Sequence, residues 1–270
     1  MTSIENPSKL EKITAVGAIL SFAIAAVFVK FGDLSVSSLV NLQNTLLEKA
    51  LIESGSSTTL GSLYIVGSYF LNTIIALVFL TLAFAFLASY GFYENRKRVG
   101  LVLSIIGGLI FIVFLGFTLA SFIVGVGIML SGYSIIPLAH NYGEELKKWI
   151  HFRAGSNSIS RAHFIFNLFI ALAIFAAVLS NLAFYEADFK SDIRESISSI
   201  VKPSLPVQID QKAVNSVIDQ QINSSPLFSA YIRWLPVASA FSVWVILEFL
   251  RLFLPFIAGA FTSAIIKMQK

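Results

Sequence analysis

Residues 99–139, VGLVLSIIGGLIFIVFLGFTLASFIVGVGIMLSGYSIIPLA, contain no charged side chain. As one helix rising 1.5 Å per residue, this run would extend for roughly 60 Å. A bilayer hydrocarbon core is about 30 Å thick. In lipid, every backbone N–H and C=O has to be satisfied within the chain, which leaves helices as the spanning form for such a run. The stretch is therefore read as a hairpin of two spans. Its turn is expected near Leu115-Gly116-Phe117-Thr118, because glycine reverses the backbone at little steric cost.

Four further apolar stretches cover 13–31, 61–93, 162–185 and 231–266. The composition agrees, with 56% hydrophobic and 13% charged residues against the roughly 25% charge of soluble domains. Mean hydropathy is +0.81. The fold class expected is an all-α, polytopic helical transmembrane bundle of about six spans, a single membrane domain over 1–270. The cations test this division. Lys9, Lys12, Arg96, Lys97, Arg98, Lys147, Lys148, Arg153, Arg161, Lys267 and Lys270 fall on one side, in short segments. Seven others are spread over two longer loops on the opposite side. By the positive-inside rule both termini are cytoplasmic. A five-span division would place the basic 140–161 segment outside and erase the bias. The first span has a competing reading, since Lys9, Lys12 and Ala23-Ile24-Ala25 resemble a signal peptide with its cleavage site. The apolar run continues through Val29, which favours an uncleaved helix.

Two loops outside the membrane, about 32–60 and 186–228, carry helical patterns. In the first, Val36, Leu39, Val40, Leu46, Leu47, Ala50 and Leu51 repeat at three-four spacing. In the second, Phe189, Ile193, Ile197, Ile200 and Val201 form one stripe. Pro203 and Pro206 break it, Asp210 reads as an N-cap, and Val214, Val217, Ile218 and Ile222 form the next stripe. Their mixed-sign polar faces suit a small extracytoplasmic cap better than a lipid-seeking surface. The inner loop, about 140–161, contains HNYGEELKKWIHFR, in which Lys147, Lys148, Trp149 and Arg153 read as an inner interfacial anchor.

Chemistry-bearing motifs are sparse. The chain has no cysteine, so thiol nucleophiles, disulfides and Cys-based metal sites are excluded. No phosphate loop, G-x-S-x-G elbow or H-E-x-x-H occurs. His140 and Glu144 share a helical spacing without a second ligand pair. The Asn223-Ser224-Ser225 sequon matters only in a glycosylating lumen. No cofactor and no enzymatic activity are expected. A net charge of +4, scattered along the chain, argues against nucleic acid. Small-x-x-x-small pairs, namely Ser121/Gly125, Gly127/Ser131, Ala173/Ala177, Gly259/Ser263 and Ala260/Ala264, suit close helix packing.

The intramembrane polar candidates are Glu248, Arg251, Asn72, Asn167 and Asn181. Glu248 and Arg251 lie in VILEFLRLFLP, roughly 21 and 25 Å below the interfacial Trp234 along a helix. At i, i+3 spacing they share a face and can pair. Pro255 removes a helix bond at Arg251 and marks a kink. Either the pair lies at the cytoplasmic exit of the last span, or it floors a polar path. The leading expectation is a non-enzymatic assembly, scaffold or accessory subunit of a membrane complex. Its partners would be the lipid bilayer and further copies of itself or other membrane subunits. The alternative is an oligomeric channel or transporter with Glu248 and Arg251 lining or gating a polar path.

Overall fold

The computed structural model describes residues 7–32, 60–146, 148–201 and 211–268, which form nine helices and no strand. They are α1 (Pro7–Phe31), α2 (Leu60–Tyr93), α3 (Lys97–Leu115), α4 (Leu119–Glu145) and α5 (Ile150–Ser180). There follow α6 (Leu182–Val201), α7 (Gln211–Ser224), α8 (Pro226–Arg251) and α9 (Leu254–Met268). Six of them, α1 to α5 and α8, are long and apolar enough to cross a membrane. The chain is an all-α polytopic bundle. The expected helix over 33–51 lies outside the described residues, as do Lys147, Pro203, Pro206 and Asp210.

The α3–α4 hairpin turns where the glycine rule places it. Gly116 has φ +86, with open space around its Cα. Thr118 then caps α4 reciprocally: its Oγ1 accepts from Ser121 N at 3.2 Å, and Ser121 Oγ accepts from Thr118 N at 2.9 Å. This is a capping box with serine in the usual Glu/Gln position. The Ser121 hydroxyl also reaches the Gly116 carbonyl, so turn and cap form one unit.

Small residues let the bundle close. A Cβ on Gly108 of α3 would sit 2.6 Å from the Gly125 carbonyl of α4. Gly127 of α4 lies under Phe169 of α5, and Gly91 of α2 faces the Ile136 backbone of α4. The glycines of the expected small-residue pairs thus pack within the chain, whereas Ala260 and Ala264 of α9 face outward. Around these contacts Phe22, Phe84, Leu87, Ile128, Ile135 and Ile136 are fully buried. The fully buried Ala25 and Ala26 bring α1 into this core.

One region differs from the sequence reading, and another carries the expected kink. The 140–161 segment is no separate inner loop: α4 continues to Glu145, α5 starts at Ile150, and only 146–149 connect them. Buried Ala139, Ala154, Gly155, Ser158 and Ile159 carry the two helices through on packing. Trp149 takes a left-handed φ of 56 there, uncommon for a non-glycine residue. At the other end of the chain, α8 stops at Arg251 and α9 begins just before Pro255. Residues 254–268 then dock on α5 and α2, with Gly259 against Phe152 and Thr262 against Gly155.

Past the break at Asn181, α6 pairs with α7. Arg194 donates to Asp219 Oδ1 from Nε at 3.0 Å and Nη2 at 2.5 Å. Buried Phe189 stacks on Phe228, centroids 5.9 Å apart, and meets the tilted ring of Tyr231 at 4.7 Å. These rings seat the pair on the first turns of α8. Ser225 caps that helix, accepting from Phe228 N, with Pro226 in its first turn.

Candidate functional site

α5 carries a polar strip facing the bundle: Ser160, His163 and Asn167, spaced three and four apart and so on one helix face. From Ala162 onward the helix around them is apolar, with Ala162 and Phe166 buried, while Arg161 beside Ser160 is exposed. Different neighbours engage different members of the strip.

α8 supplies the charges. Glu248 Oε2 accepts from Arg251 Nε at 2.7 Å and Nη2 at 2.6 Å. Glu248 Oε1 accepts from Asn167 Nδ2 at 3.0 Å, and Asn167 is 1% exposed. The remaining terminal nitrogen of Arg251 points at Ser160 Oγ from 3.5 Å, and its guanidinium carbon lies 5.4 Å from the centroid of the Phe164 ring. Both carboxylate oxygens have donors, and the cation has a carboxylate, a hydroxyl and a ring. The pair is neutralised inside the chain and clamps α8 to α5. This matters for α8 in particular, which is the least buried span, at 28% against 50% for α2 and α4.

α2 engages the strip at a separate point. Thr81 Oγ1 lies 2.9 Å from His163 Nε2, and its hydroxyl donates to Leu77 O at 2.7 Å. A hydroxyl has one proton to give. With that proton on Leu77 O, the His163 ring must donate from Nε2, leaving Nδ1 as a bare acceptor. Nδ1 is buried without a hydrogen-bond partner, and Phe84 meets the ring edge-on at 5.4 Å. Thr81→Val keeps the shape but removes the acceptor. We expect it to lower stability by about 1–3 kcal/mol, the cost of stranding a buried polar group. Thermal melts of Thr81→Val and Thr81→Ser in one detergent check this, with serine expected to retain most of the wild-type stability.

Of the five intramembrane candidates, three meet: Glu248, Arg251 and Asn167. Asn72 sits on α2 beside Gly32, just past the end of α1. Asn181, at the end of α5, returns its amide to Ala177 O at 2.9 Å. Lys148, Trp149 and Arg153 are exposed at the α4–α5 connection, Trp149 by 78%. Thr81 was not legible as a site residue, because a lone threonine in an apolar helix reads as a hydroxyl returned to its own backbone. His163 carried a usable signal in its i, i+4 relation to Asn167. Among the described residues, no group of three or more His, Cys, Asp or Glu could hold a metal ion.

Comparisons with protein-family models, with curated proteins and with solved structures gave no match, so the chemistry of the site is argued from its geometry.

Proposed function

We propose that this protein is a non-enzymatic subunit of a membrane assembly, its bundle holding the α6–α7 pair out of the bilayer as a contact face. Both termini lie on the cytoplasmic side, as the cation bias favours, and the α6–α7 pair is extracytoplasmic. The observation that carries this reading is how the polar groups are used. At membrane depth, Glu248, Arg251 and Asn167 satisfy one another, as a structural clamp does. Outside it, α6 and α7 are held in fixed register by Arg194–Asp219 and by Phe189 on α8. An exposed ion pair adds only about 0.2–1 kcal/mol, so its part is to set register. The partner is a second copy or another membrane chain meeting this face, with no nucleic acid and no cofactor. Trp149, Lys148 and Arg153 anchor the cytoplasmic end at the lipid headgroups.

The test is a photo-crosslinking residue at Val217 of α7, which is 58% exposed, in native membranes, paired with native mass spectrometry of the extracted particle. A discrete heavier adduct and a particle of more than one chain are expected. A bare monomer without an adduct would overturn the reading. A pore role predicts ion or solute flux in liposomes that Glu248→Gln alters; such a flux would replace the assembly reading with a channel.

A further inference from the structure

The cap-side half of the bundle forms an open-sided cavity of about 460 Å³, within the roughly 300–1,000 Å³ of small-molecule sites. One wall is a single stripe of α5: Phe166, Ile170, Ala173, Ala177 and Asn181. These recur at three- and four-residue intervals and so line up along the helix. From Phe166 to Asn181 the stripe runs roughly 22 Å at 1.5 Å per residue. The facing wall comes from the α3–α4 turn and from Val29 near the end of α1.

The polar lining sits at one end. Thr118, Ser180 and Asn181 are exposed at the mouth, beside the α3–α4 turn and the α5–α6 break, with Ser121 and Tyr185 buried next to them, while Phe166 and Ile170 lie deepest along α5. No charged side chain lines the cavity. Ala173 and Ala177, which sequence spacing marks as a helix-packing pair, are the small residues that leave the space open.

We propose that this slot holds one acyl chain of a glycerolipid from the cap-side leaflet. Three features select that occupant. An apolar cavity does not retain water, and empty apolar space is costly. The slot's length covers one leaflet's share of the hydrocarbon, about 15 Å or half the core, with the interfacial layer above it. Its uncharged mouth suits the ester region of a lipid rather than a phosphate. Ser180 gives its proton to Ala176 O, leaving its oxygen as an acceptor. Asn181 uses one amide N–H on Ala177 O, which leaves the second N–H to donate to an ester carbonyl.

The probe is a phosphatidylcholine with a diazirine at the end of one chain, reconstituted with the full-length protein and read by peptide mass spectrometry. Labelling at Phe166 and Ile170 is expected in the wild type. Ala177→Trp should cut it at least tenfold while leaving the exposed Phe241 and Phe249 of α8 labelled as before. Should Ala177→Trp fail to fold, Ala120→Phe narrows the slot from α4. The proposal fails if Phe166 and Ile170 label no more than background, or if neither filled-slot variant changes their labelling. It also fails if a photo-crosslinker at Ile170 joins residues 33–59 instead of lipid, because the chain's own segment would then occupy the slot.

Discussion

Arg251→Leu should destabilise the folded bundle by about 3 kcal/mol, near the low end for a broken buried ion pair. The low end applies because the Glu248 and Arg251 side chains retain 18% and 26% exposure. Removing the guanidinium leaves the largely buried Glu248 carboxylate with Asn167 as its remaining donor. The leucine itself is welcome there, so the loss comes from the stranded charge. Glu248→Leu leaves the mirror-image defect, an arginine held by Ser160 and the Phe164 ring. The double variant carries no stranded charge, and its main defect is the Asn167 amide without its acceptor, at about 1–3 kcal/mol. It should therefore be more stable than the two single losses sum to, and unfolding in mixed micelles of rising denaturing-detergent content measures this coupling. Additive losses would mean that each charge is satisfied by water or headgroups and that the clamp contributes nothing.

Gly91→Val should be the most damaging single substitution in the packed part of the bundle, at about 3 kcal/mol or more, the top of the overpacking range. A Cβ at this position would lie 2.6 Å from the Ile136 carbonyl oxygen and 2.7 Å from the Ile136 Cα. Both are backbone atoms that cannot rotate away. α2 and α4 would have to separate, loosening the packing of the fully buried Leu87, Ile135 and Ile136. Gly143→Ala is the control. Its nearest neighbour is the Phe92 ring at 3.1 Å, a side chain that can shift by a few tenths of an ångström. Thermal aggregation followed by size-exclusion chromatography should place Gly91→Val far below Gly143→Ala. Equal midpoints would show that α2 and α4 do not approach this closely.

The legible part of the architecture is the part that depends on neighbours in sequence. An uncharged run about twice the length of one span has to fold back, and Gly116 with Thr118 supplies the turn and the cap within a few residues. The Glu248–Arg251 pair and the break before Pro255 also follow from spacing along one helix. The stripes of 186–228 become α6 and α7 because amphipathic periodicity is local too.

What local rules could not supply is which helix neighbours which. Asn167 finds Glu248 across 81 residues, and Thr81 finds His163 across 82. Those pairings exist because α5 packs against α2 on one side and α8 on another. Asn72 and Asn181 are the same residue type as Asn167 and equally embedded in apolar sequence, yet Asn72 of α2 faces Gly32 beyond the end of α1, Asn181 caps α5, and neither takes part in the clamp. The 140–161 segment makes the same point: its basic, aromatic composition reads as a surface helix, but its buried Ala154, Gly155 and Ser158 continue α5 into the bundle. In this chain hydrophobicity and turn chemistry define the spans. Close approach between small residues on different helices decides which few polar groups meet, since that geometry exists only once the helices are packed.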